Sequence, residues 1–165
     1  IQIEPLPEKP SPKETYKKKE YTKPKWENPA YAPKHIELNT TDSATLVEVR
    51  GIGPFFARVI IEHRDKLGGY RTKDQVLEVY GMDSAKFAII ESELWVDTSA
   101  ITKININKAT LKELLRHPYI NFNQAKAIVN YREQHGLFSS VAQLQKIHLI
   151  KGAPYLKVAP YLTTE

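Results

Sequence analysis

Gly51-Ile52-Gly53-Pro54 is the stretch of this sequence whose residue types have a chemistry to offer. Two glycines around one apolar residue let the backbone take φ > 0 without a Cβ clash. Pro54 then suits the first turn of a new helix, where a missing N–H costs nothing. Amides at the start of a helix have no intrahelical acceptor and can hold an anion. The chemistry on offer is therefore anion binding by the first backbone N–H groups of that helix. Arg58, one helical turn further on, would add positive charge, and Phe55 an aromatic face.

The elements that must position these residues follow from apolar spacing. Leu46 and Val49 precede the turn and Ala57, Ile60 and Ile61 follow it, the period of two helices packed by one face with Ile52 in the angle between them. The same pattern returns 68 residues later without a gap: Ile36, Leu46, Ile52, Ala57, Ile60, Arg64 and Gly68 meet Ile104, Leu114, Ile120, Ala125, Ile128, Arg132 and Gly136. A duplicated unit of four short helices is expected. Asp42 and Thr110 read as N-caps of the first helices, with Glu113 completing a capping box on Thr110. Thr72 with Gln75 and Ser140 with Gln143 read as capping boxes for the third helices, and Gly68-Gly69 and Gly136 as stops for the second. Each unit is thus a pair of hairpins whose apolar stripes cover one another.

These hairpins, with Ile104-Asn105-Ile106-Asn107-Lys108-Ala109-Thr110 and the Arg64 and Arg132 positions, resemble the helix-hairpin-helix DNA-binding domain of ComEA-like competence proteins. The resemblance covers roughly residues 36 to 163. It implies an all-α fold: tandem double helix-hairpin-helix units of the RuvA domain 2-like class, residues 36–100 and 101–165, after an extended Pro/Lys-rich segment, residues 1–35. It also implies double-stranded DNA as partner, bound without sequence preference, and a place on the periplasmic side of a bacterial cell envelope in DNA uptake, tethered by an upstream segment. The resemblance further implies that Gly51, Ile52 and Gly53 present backbone N–H groups to a phosphate, with Arg58 adding charge; Ile120, Asn121, Asn123 and Lys126 occupy the corresponding places in the second unit.

The sequence departs from that pattern in three hairpins, Tyr119-Ile120-Asn121, Gly81-Met82-Asp83 and Leu149-Ile150-Lys151, which lack the double glycine. Asn121 tolerates φ > 0, whereas Asp83 would set a carboxylate where a phosphate should sit. Charge is divided as well. Residues 36–100 hold 7 Lys+Arg against 11 Asp+Glu, and residues 101–165 hold 9 against 3. Phosphate binding rests on neutralising charge, so an acidic first unit supports a rival reading: a non-enzymatic structural or adaptor subunit of a membrane-associated protein complex. The first 35 residues suit either reading. They carry seven prolines and eight lysines, and Tyr16, Tyr21, Trp26 and Tyr31 could lie along a partner.

Other chemistries find little. The chain has no cysteine, which excludes disulfides, thiolate catalysis and Cys-ligated zinc, and its five histidines show no metal-ligand spacing. No phosphate loop, no nucleophile beside a base and no cluster of carboxylates for paired metals is present, so a non-enzyme without catalytic residues, cofactor or metal is expected. The first residue is not Met, as in a fragment or a processed chain.

Overall fold

The computed structural model describes residues 32–165; the aromatic positions Tyr16, Tyr21, Trp26 and Tyr31 lie outside the described residues. In the first copy the chain runs β1 (Ile36–Glu37), α1 (Ser43–Val47), α2 (Pro54–Leu67), a 3-10 helix (Lys73–Glu78), α3 (Ser84–Ile90) and β2 (Leu94–Trp95). The second copy repeats the order as β3 (Ile104–Asn105), α4 (Leu111–Leu114), α5 (Phe122–His135), a 3-10 helix (Val141–Lys146), α6 (Ala153–Val158) and β4 (Leu162–Thr163).

The fold is rich in helix but not purely α-helical, which corrects the expected class. β1 pairs in parallel with β2, Ile36 opposite Leu94, and β3 with β4, Ile104 opposite Leu162. Each pair joins the entry and exit of one copy, satisfying backbone groups that a helix would otherwise leave unpaired. Two-residue strands have too short a period to show in a sequence. The third helices are 3-10 rather than α. The Ser140 box does not form: Ser140 makes no side-chain cap, and Gln143 accepts instead from Ser139 N–H at 3.0 Å.

The expected caps of the first helices form, and further side-chain bonds tie each copy together. Asp42 accepts from Thr45 N–H at 2.8 Å. Thr110 and Glu113 cap reciprocally, Glu113 N–H to Thr110 Oγ1 at 3.2 Å and Thr110 N–H to Glu113 Oε2 at 2.7 Å. Asn39 receives Tyr70 N–H at 2.6 Å and donates to the Tyr70 and Asp97 carbonyls, and Asn107 does the same with Phe138 and Thr164. These two asparagines lock the end of each copy to its middle. Arg64 and Arg132 reach back to carbonyls before the first helices, Arg64 to Thr41 at 2.6 Å and Arg132 to Ala109 at 2.7 Å.

Each copy has its own core. Leu38, Leu46, Ile60, Leu67, Tyr70 and Ile90 centre the first, and Ile106, Leu114, Ile128, Leu144 and Ile150 the second. The copies are not independent, because Tyr161 of the second is buried in the core of the first. Residues 32–165 accordingly make one compact unit.

Candidate nucleic-acid interface

The first hairpin divides its labour among three residues. Gly51 takes φ +99°, and a Cβ there would meet the Ile89 and Ile90 methyls at 3.3 Å. Ile52 is buried in the core, and its N–H donates to the Val49 carbonyl at 3.0 Å. Gly53 is the N-cap of α2, extended at φ −87° and ψ 174°, with no side chain to cover the helix start. The expected trio of phosphate-facing amides is therefore corrected at Ile52, whose N–H the turn itself uses. Pro54 has none, and Ala57 N–H already bonds to the Gly53 carbonyl at 3.0 Å. Phe55 and Phe56 N–H remain as the first donors of a 14-residue helix, beside Gly53.

Side chains frame these amides. Phe55 is 46% exposed, with Arg58 over its ring at 5.8 Å. Arg58 also lies 3.8 Å from Glu62, one turn on, so its charge is partly shared. The second hairpin packs close by, since a Cβ on Gly81 would meet the Phe56 and Phe55 rings at 3.7 and 3.9 Å.

The other hairpins keep the turn, and the second and third fill the helix start, whereas the six-residue α6 of the fourth begins at Gly152, which like Gly53 has no side chain to cap it. Met82, Ile120 and Ile150 each repeat the bond of Ile52, to Val79, His117 and Ile147, all at 3.0 Å. Asp83, however, caps α3 by accepting from Lys86 N–H at 2.9 Å and pairs with Lys86 Nζ at 2.5 Å. These bonds hold its carboxyl below the usual carboxylate range. In the second copy Asn121 matches Gly53 in backbone shape, at φ −86°, and not the left-handed shape it was expected to tolerate. Its side chain accepts from Gln124 N–H at 2.9 Å while Gln124 Oε1 accepts from Asn121 N–H at 3.0 Å. Ile120 is buried, while Asn121, Asn123 and Lys126 are exposed around this self-capped end, next to Phe122. The structure thus gathers Gly53, Phe55 and Arg58 at one open helix start, and Asn121, Asn123 and Lys126 at a closed one.

A family model described as the helix-hairpin-helix motif matches residues 32–94 and again residues 99–163, one match for each copy. The chain belongs to the helix-hairpin-helix family. Helix-hairpin-helix motifs point to nucleic-acid binding. The relatives of this helix-hairpin-helix chain include endonuclease/exonuclease/phosphatase family domain-containing protein 1 of Danio rerio, 28% identical over 130 residues, with 68% of this chain and 24% of the relative covered. The proteins of that name from Mus musculus and Homo sapiens are 24% and 23% identical over 147 residues, each with 72% of this chain and 26% of the relative covered. The chain spans about a quarter of the length of the curated relatives it matches. Their names overturn the expectation of a non-enzyme: the relatives are named for an endonuclease/exonuclease/phosphatase family domain, although the match covers the helix-hairpin-helix region alone.

Sequence reasoning missed the seam between the helix-hairpin-helix copies. Gln75 Nε2 donates to Tyr119 Oη at 2.7 Å and Tyr161 Oη at 2.8 Å, and Tyr119 donates to Glu78 at 2.8 Å. His63 sits 3.8 Å from Glu78, and the buried His117 ring packs on Tyr161 with centroids 4.9 Å apart. Burial pushes the His117 imidazole down to about 4 and lowers His63 as well. The signal was present as mismatches in the repeat. His117, Tyr119 and Tyr161 stand where the first copy has Val49, Gly51 and Glu93.

Proposed function

We propose that this region binds double-stranded DNA through its phosphates, without base preference, and that the first hairpin makes the principal contact. The observation that carries this reading is the contrast between the two 14-residue helices: α2 begins at a bare Gly53, whereas the start of α5 is closed by Asn121 and Gln124. An open helix start offers both free donors and the positive end of the helix dipole. Arg58 supplies flanking charge at the open start, and Lys126 adds charge at the closed one. In a longer protein like its relatives, the region would hold nucleic acid for a domain of the kind those relatives are named for. Placement at a bacterial envelope and a part in DNA uptake rest on the ComEA-like resemblance alone.

Amide chemical shifts recorded while a duplex is titrated into the full chain test the reading. Movement centred on Gly53, Phe55 and Phe56, reversed by added salt, supports it. Shifts confined to other surfaces would overturn it.

A further inference from the structure

The C-terminal end of α2, about 20 Å from the hairpin at 1.5 Å per residue, opens onto a cleft of about 630 Å³ between the two copies. Its size falls within the range of small-ligand sites. Gly68 and Gly69 and the connecting residues Ala100 and Thr102 line it, with Thr102 N–H held by the Gly68 carbonyl at 2.7 Å. A Cβ on Gly68 would stand 2.4 Å from the Thr102 carbonyl oxygen, so only glycine lets the connection run this close.

The charged lining is unbalanced. Of its two acids, Asp65 pairs with Arg64 at 3.0 Å and Glu113 is bound to Thr110 N–H and Oγ1. Arg64 is itself spent on backbone carbonyls. Lys66 from the first copy and Lys108 and Arg116 from the second also line the cleft; all three are exposed and none makes a close ion pair among the described residues, although Arg116 is near enough to Glu113 to help lower its carboxyl. Asn105, in the same lining, keeps a buried Nδ2 donor without an acceptor. Cationic side chains outnumber carboxylates in the lining, and they come from both copies.

We infer that this cleft is a second phosphate site, built by the duplication, with Lys66, Lys108 and Arg116 as its cations. Lys and Arg side chains are the common partners of phosphate oxygens. The site also gives the basic second copy a part in binding that its self-capped hairpin does not supply. That the phosphate belongs to a nucleic-acid strand rests on the reading above; the phosphate chemistry of the cleft does not.

The test is the salt dependence of duplex binding by the full chain, read by fluorescence anisotropy. The pair Lys108→Gln with Arg116→Gln is compared with Lys146→Gln plus Lys157→Gln, which removes equal charge outside the cleft. Loss of two phosphate contacts flattens the slope of log K against log salt by about 2. The cleft pair should show this loss and the control pair much less; equal effects would mean that the cleft acts only through net charge and would sink the site. A cleft pair without effect beside a Gly53→Asp variant that no longer binds would sink the cleft and leave the hairpin standing. Titration with inorganic pyrophosphate, followed by amide shifts of Leu67, Gly68 and Ala109, separates the sources. If no duplex binds but pyrophosphate moves those amides, the site holds for a free phosphate ligand and the DNA reading falls. If neither ligand binds, the cleft is not a phosphate site.

Discussion

Tyr161, in the last turn before β4, is buried in the core of the other copy, and its hydroxyl meets the Gln75 side chain at 2.8 Å. The two residues belong to different copies, so the hydrogen bond fixes the copies against one another. Gln75 also holds the start of its own 3-10 helix by accepting from Arg71 N–H at 2.7 Å. One amide thus serves a local cap and a long-range joint.

Breaking this joint should destabilise both copies together. Tyr161→Phe removes the hydroxyl and should cost about 1 kcal/mol. Tyr161→Ala also leaves a cavity in the first core and should cost about 3–5 kcal/mol. Urea unfolding followed by circular dichroism should show one shared transition in the parent chain. Two separate transitions in the parent would contradict the joint.

The seam histidines predict a pH dependence. Burial of the ring is the main cause of the lowered His117 value of about 4, with His63 nearby adding to it, and His63 is itself lowered by burial against the opposing pull of Glu78. Both imidazoles are held neutral by the fold, so below about pH 6.5 the unfolded chain binds more protons. Stability is therefore full above that value and falls as pH drops towards 4, by about 3 kcal/mol for His117. Thermal melts across this range should show the decline. His117→Phe should flatten it, and an unchanged profile in that variant would place the proton elsewhere.

Opening the closed hairpin should add a phosphate contact. Asn121→Gly copies the first hairpin and costs only a few tenths of a kcal/mol in capping, roughly as Gly does at other N-caps. Duplex affinity should rise and its salt slope steepen by about 1. Unaltered affinity would mean that an open helix start is not what binds.

The connection between the copies has its own sensitive point. Gly68→Ala combines φ +81° with the contact at 2.4 Å to the Thr102 carbonyl oxygen. Strain of this kind costs on the order of 1–3 kcal/mol, and the variant's melting temperature should fall accordingly. Gly136, where φ is +83° and nothing lies within 4 Å of an added Cβ, should lose less on the same change.

Much of this architecture is legible in the sequence, because duplication writes each element twice. Ile52 with Ile120 and Gly68 with Gly136 hold equivalent places, and their roles follow from apolar spacing and turn chemistry. What escaped is what sequence spacing does not encode. The strands span two residues each, and the Ile52 N–H is lost to a turn bond visible only in three dimensions. At the interface, Gly53 and Asn121 are easily aligned, but that one is bare and the other capped by Gln124 is a matter of side-chain geometry. The seam and cleft exist only once the copies are placed together. They depend on residues such as Tyr161 and Lys108, whose neighbours lie in the other copy.

The most direct test of the central claim measures duplex binding by the parent chain and by Gly53→Asp, at low and at high salt. Asp at this N-cap suits the helix, so circular dichroism should be unchanged, while its carboxylate would occupy the place of the phosphate, as Asp83 does at α3. The account predicts salt-sensitive binding by the parent and a loss of about tenfold or more in the folded variant, roughly 1.4 kcal/mol. Equal binding by the two chains would contradict the assignment of the first hairpin as the principal contact.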